Sequence, residues 1–204
     1  MSGRSQGLFG IVFLKQEEAL TKIALVCMRK LAHEEIVGRQ VKRSQQSRLP
    51  FCVVINNIRS LYNVGAIFRT ADGIGIEKLW LCGITGYPPQ SGIAKTALGA
   101  QESVPWEYRK DIIALLKELR SQGYQVVLLE QIAGSVSHDQ FQPSSPVCLV
   151  VGNEVSGISD ELLTLCDAAV EIEMDGIKNS LNVAVAFGII GYHIRSALLS
   201  QKHP

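Results

Sequence analysis

The chain has 204 residues, 47% of them apolar, with 20 Lys/Arg against 19 Asp/Glu. Such a composition supports a buried core and excludes a disordered tail or a uniformly basic nucleic-acid coat. Charge is unevenly placed: residues 1–48 carry nine Lys/Arg against four Glu, a balance of +5, and the remainder carries eleven against fifteen, a balance of −4.

In chain order, the first apolar run is Gly7–Leu14. Its eight residues are too few to span a bilayer, where about 20 are needed, and Lys15, Glu17 and Glu18 follow with no small-residue cleavage site. The expectation is a cytoplasmic chain with no membrane partner. Over residues 16–46, Leu20, Ile23, Cys27 and Leu31 recur at spacings of three and four, with one Gly and no Pro, which predicts an amphipathic arm of one long helix or two. Its basic balance suits an anionic partner such as RNA or a membrane surface, and suits a solvated helix face equally well. Lys42–Arg48 is polar and basic, and Pro50 closes it. The boundary therefore falls near 48, leaving a basic helical N-terminal extension over 1–48 and a main domain over 49–204.

Beyond it, Phe51–Ile55, Lys78–Cys82, Tyr124–Leu129, Val147–Val151 and Ala169–Met174 are short, nearly continuous apolar runs. Strands covered on both faces have this pattern, so an α/β fold with a mostly parallel sheet is predicted. Helices are expected at 63–74, 111–122, 160–166 and 181–199. Ligands of such sheets sit beyond the carboxyl ends of the strands. The five cysteines have no regular spacing and read as buried free thiols of a reducing compartment. His33, His138, His193 and His203 are far apart, with no zinc-type spacing, so no metal is expected.

Three segments after strand ends carry polar residues that a plain core does not require. In the first, Asn56–Asp72, Asn63 stands close to a helix N-terminus and Arg69 lies six residues on among small and apolar residues. A nearly buried guanidinium there needs an anionic partner; the commoner use of the pair is an N-cap and a structural ion pair. In the second, Val150–Ile158, Gly152 and Gly157 bracket Glu154. The glycines let the backbone turn tightly against a ligand, although a plain strand-to-helix turn uses the same residues. In the third, Ile172–Phe187, Ser180 can cap an apolar helix, and Asn182 is a polar exception whose carboxamide, if buried, needs partners.

Together, N-V-G-A-I-F-R-T-A, L-V-V-G-N-E-V-S-G-I and I-E-M-D-G-I-K-N-S-L-N-V-A-V-A resemble the three motifs of the SpoU, or TrmH-like, branch of the SPOUT methyltransferases. Leu81–Pro89 and Lys95–Ala100 also look like this family, and the resemblance covers residues 51 to about 196. It implies a parallel α/β sheet whose C-terminal part forms a deep trefoil knot. It further implies a homodimer, S-adenosylmethionine (AdoMet) as methyl donor, and a ribose 2′-hydroxyl of tRNA or rRNA as acceptor. Carried over by motif, Asn63, Arg69, Glu154, Ser180 and Asn182 form the catalytic set. Gly152, Ile172 and Leu181 line the cofactor pocket, with Leu129, Glu130 and Met174 nearby.

A ribose hydroxyl is a poor nucleophile, so the transfer needs in-line placement and removal of its proton. The family assigns that removal to the arginine matching Arg69. Arginine gives up its proton only above about pH 12, which leaves two versions open. In one, Arg69 is a base assisted by a substrate phosphate; in the other, it fixes phosphate and ribose while another acceptor takes the proton. A non-catalytic RNA-binding or assembly factor with the same knotted fold is the alternative, and a base methylase of another SPOUT branch is a third reading.

Overall fold

The computed structural model describes residues 29–44, 47–152 and 159–202. Glu154, Cys27 and residues 16–28 of the expected arm lie outside them. Contacts divide the chain into two units, Met1–Ser47 and Arg48–Pro204. The division falls one residue before the boundary read from sequence, because the Arg48 guanidinium donates to the carbonyls of Ile76 (3.1 Å) and Ser103 (2.6 Å) in the second unit.

In the first unit, α1 spans His33–Ser44. Residues 29–32, which the arm pattern places in a helix, are not helical. Glu35 explains the start: its carboxylate accepts the Ala32 N–H at 2.8 Å, closing the helix entry from its first turn. It also receives two bonds of 2.8 Å from the Arg29 guanidinium. Arg29 first, and the Ala32 N–H second, hold the Glu35 carboxyl down to about 2.

The second unit is built on a seven-stranded sheet in the order β3-β2-β1-β6-β4-β7-β5, with every pairing parallel. Its strands are β1 (Leu49–Asn56), β2 (Ile76–Cys82), β3 (Trp106–Arg109), β4 (Gln125–Leu129), β5 (Val136–Ser137), β6 (Val147–Val151) and β7 (Ala168–Glu171). The helices are α2 (Leu61–Ile74), α3 (Ser91–Ala97), α4 (Ala100–Ser103), α5 (Ile112–Ser121), α6 (Asp160–Leu163) and α7 (Val183–Lys202). Alternation along the strands builds two layers of core. Phe51, Val53 and Ile55 pack with α2, α3 and α7 on one face, whereas Cys52 and Val54 pack with Leu115, Leu116 and Leu119 of α5 on the other. The continuous apolar runs thus reflect a sheet covered on both sides.

Cys52, Cys82 and Cys148 are buried free thiols on the α5 face, and Cys166 is half-buried. Burial pushes the Cys82 thiol up to about 12 and, with Asp167 beside it, the Cys166 thiol up to about 11. The helix α7 is long and apolar enough to cross a membrane by length and composition, with a mean hydropathy of 1.5. It serves here as a core helix: Phe187, Ile190 and Ile194 are fully buried, and Leu198 nearly so.

Four elements escape the periodicity. The edge strand β3 alternates Trp106 and Tyr108 with Glu107 and Arg109, charges that suit an edge but hide the strand from an apolar-run criterion. At the other edge β5 has two residues, and α3 and α4 have seven and four, too short for a helical period to register.

Two glycines fix the packing of α3 on α2 and the turn after β2. At Gly65, inside α2, a Cβ would collide with the Thr96 Oγ1 and the Ile93 carbonyl of α3. Its absence lets Thr96 Oγ1 donate to the Tyr62 carbonyl at 2.9 Å. At Gly83, φ is +64°, and a Cβ would meet Asn57 Oδ1, which accepts the Ile84 N–H at 3.1 Å. Buried Thr85 then ties the end of β1, its Oγ1 accepting from the Ile58 N–H (3.1 Å) and donating to the Ile55 carbonyl (3.3 Å). Gly65→Ala is expected to destabilise the protein by about 1–3 kcal/mol through overpacking, read as a lower urea midpoint; an unchanged midpoint would mean that α3 is not held on α2 at this glycine.

Candidate active site

β6, β4 and β7 are neighbours in the sheet, and their carboxyl ends open on a cavity of about 370 Å³. Leu129 and Glu130 contribute from the end of β4, Val151 and Gly152 from β6, and Glu171 and Ile172 from β7. The loop into α7 closes it with Met174, Asn179, Ser180 and Leu181. Gly152, Ile172 and Leu181, matched by motif to a cofactor pocket, therefore line one cavity together with Leu129, Glu130 and Met174, which the resemblance puts nearby. A second cavity, of about 390 Å³, lies between Gln142 and the C-terminal half of α7 and contains none of the motif residues.

The walls form because the strands stop. The sequence extends the last strand to Met174, but β7 ends at Glu171. Its pairing with β4 ends at Leu129↔Val170 and that with β5 at Ser137↔Glu171, so no partner continues the ladder. The Ile172 carbonyl instead accepts from Gln131 Nε2 at 3.5 Å, and Ile172 and Met174 are left to line the cavity.

The helix caps differ from the expected ones. Ser60, not Asn63, caps α2, its Oγ accepting the Asn63 N–H at 3.3 Å. Asn182, not Ser180, caps α7: its Oδ1 accepts the Ala184 N–H and its carbonyl the Ala186 N–H, each at 2.9 Å. With its oxygen so engaged, the Asn182 amide donates to Asn63 Oδ1 at 3.1 Å. This bond spans 119 residues of sequence and joins the first and third motifs. The expectation of a buried carboxamide is corrected, since Asn182 is exposed and finds its partners at the surface. Ser180 is exposed as well, freed from capping and placed in the cavity wall.

Arg69 is exposed, on the outer side of α2, and not nearly buried as its apolar neighbours suggest. The helix turns Ile67, Phe68 and Ala71 into the core and leaves position 69 to solvent. Arg69 does not line the cavity, and among the described residues it enters no ion pair. It adjoins Thr70, which meets α7 at Gly188. The structure therefore joins Asn63 and Asn182, places Ser180 in the wall beside them, and leaves Arg69 apart; Glu154 lies outside the described residues.

Sequence reasoning missed Gln131, Glu171 and Asn179 in the wall. Gln131 follows Glu130, Glu171 precedes Ile172 and Asn179 precedes Ser180, and only the folded cavity gathers them. The cavity falls within the usual size of small-molecule sites, roughly 300–1,000 Å³. Apolar Leu129, Ile172 and Leu181 face a flat ring well, and Glu130, Ser180 and Asn179 offer acceptors and donors for hydroxyl and amino groups. The residues present thus fit a nucleoside-sized ligand with a charged tail.

A profile of the SpoU rRNA Methylase family matches residues 50–192. The chain is 33% identical over 158 residues to the tRNA (guanosine(18)-2'-O)-methyltransferase of Aquifex aeolicus (strain VF5), covering 76% of this chain and 72% of that one. It is 30% identical over 155 residues to the 23S rRNA (guanosine-2'-O-)-methyltransferase RlmB of Vibrio vulnificus (strain CMCP6), covering 74% of this chain and 62% of that enzyme. Among solved structures, the A. aeolicus TrmH/SpoU tRNA modifying enzyme superposes with a TM-score of 0.72 at 28% identity, over 83% of this chain and 85% of the other. The AdoMet-bound rRNA methyltransferase from Sinorhizobium meliloti superposes with 0.68 at 30% identity, over 75% and 57%. The profile covers the sheet, the cavity and the Asn63–Asn182 bond alike, and the chain belongs to the SpoU rRNA methylase family.

Proposed function

We propose that the protein transfers a methyl group from AdoMet to a ribose 2′-hydroxyl of tRNA or rRNA. The observation that carries this reading is the cavity walled by residues of the second and third motifs and tied to the first by the Asn182–Asn63 bond. Leu129, Glu130, Gly152, Ile172, Met174 and Leu181 hold the cofactor in this reading. When bound, AdoMet supplies an electrophilic methyl group on a sulfonium.

The chain's own residues orient the acceptor. Asn63 and Asn182, fixed to each other at the edge of the cavity, direct the ribose, while Ser180 secures the loop around the cofactor. An exposed guanidinium without a carboxylate partner among the described residues is available to an RNA phosphate. Arg69 therefore fixes phosphate and ribose, while another acceptor takes the hydroxyl proton. Glu154, carried over by motif, secures the loops around the cofactor together with Ser180 in this reading.

Arg69 is completed by a second copy of the chain. Beside it, the outer face of α7 exposes Val185 (52%), Ile189 (36%) and Tyr192 (49%) at helical spacing, an apolar stripe suited to a homodimer. Two copies paired there set one protomer's Arg69 toward its partner's site. The carboxyl ends of β4, β6 and β7 meet at one cavity, which supports the knotted C-terminal part that the family resemblance implies. The basic extension adds RNA-phosphate contacts, and the buried thiols suit a reducing, cytoplasmic setting.

Three outcomes test this. Incubated with AdoMet and unmodified tRNA or rRNA, the protein is expected to form a 2′-O-methylnucleoside detectable by mass spectrometry. Arg69→Ala lowers the rate by about 10²-fold or more while AdoMet binding persists; full activity in the variant would remove Arg69 from the reaction. Ile189→Glu is expected to convert a dimer into a folded monomer by light scattering, and an unaltered dimer would place the interface elsewhere.

A further inference from the structure

Charge in the cavity is one-sided. Glu130 and Glu171 line it, and among the described lining residues there is no Lys or Arg. Both acids are half-buried, so water screens them less than it screens a surface carboxylate. Glu130 Oε1 accepts the Gln131 N–H at 3.1 Å, and neither acid takes part in an ion pair among the described residues. On the loop into α7, Glu173, Asp175 and Lys178 are exposed, and none of them lines the cavity.

Methyl transfer changes the charge of what the cavity holds. The donor combines an ammonium, a carboxylate and a sulfonium, for a single net positive charge. Its demethylated product, S-adenosylhomocysteine, has a neutral thioether and no net charge. The two share every other group, so hydrogen bonds to ribose, base and tail serve both equally. A field from uncompensated carboxylates does not.

We propose that Glu130 and Glu171 select the cofactor by charge, favouring the sulfonium donor over the thioether product. Loss of the methyl group then itself loosens the spent cofactor, and product inhibition stays weak. This rests on the reading of the cavity as the AdoMet site, and deepens it by assigning Glu171 a role that no motif gives it.

Calorimetric titration of the unsubstituted protein, Glu130→Gln, Glu171→Gln and the double variant separates the two readings. The ligands are AdoMet, S-adenosylhomocysteine and sinefungin, which carries an amine in place of the methylated sulfur. Each substitution is expected to raise the Kd of AdoMet and of sinefungin about tenfold, the scale of one partly screened charge pair. The Kd of S-adenosylhomocysteine stays within about twofold, which also reports that the cavity remains folded. Equal weakening of all three ligands would overturn charge selection and make the acids plain hydrogen-bond partners. Unchanged affinities for all three would overturn it too. Failure of the unsubstituted protein to bind any of them would overturn the cofactor reading itself, and the inference with it.

Discussion

Parallel register across four strands brings Ile55, Val151, Leu129 and Val170 level with one another. Everything at the site depends on that line. The ladders run out together: the Glu130 N–H still donates to the Val170 carbonyl at 3.1 Å, and beyond it the backbone groups after β4 and β7 turn to side chains or to a ligand. Gln131 reaching the Ile172 carbonyl is one instance of this need being met locally. The register in turn rests on a sheet buried on both faces, where a one-residue slip would exchange the residues of the two cores.

A hydrogen bond between two asparagines then joins the ends of the chain's functional part. Asn182 spends its oxygen on the first turn of α7 and its amide on Asn63, so the cap that starts one helix also locates it against another. Close helix packing reinforces this, with Gly188 against Thr70 and Gly191 against Ile74. The two asparagines are thus held at the starts of α2 and α7, which suits a reaction that demands alignment more than acid–base strength. Arg69 stands outside that scaffold, on a face that a second copy or an RNA phosphate can reach.

The long strands and helices were legible in the sequence because fully buried parallel strands read as unbroken apolar runs, as in Val147–Val151. Elements at the edges were not, since β3 mixes aromatic with charged residues and α3 is shorter than two helical turns. For the site, type and order of residues were legible but environment was not. Arg69 lies in an apolar stretch of sequence yet faces solvent, because a helix exposes every third or fourth residue whatever its neighbours. Likewise Ser180 is a good capping residue, and only the hydrogen bonds at Asn182 reveal that α7 begins two residues later. Glu171 reaches the cavity through strand register, a relation between segments that no local pattern encodes.

If the level ends of β6, β4 and β7 form the methyl-donor site, a crystal structure of the protein with AdoMet will show density for the cofactor between Leu129, Gly152, Ile172 and Leu181, with the Asn63–Asn182 bond intact. AdoMet bound at any other place, with this cavity left to water, would contradict that assignment.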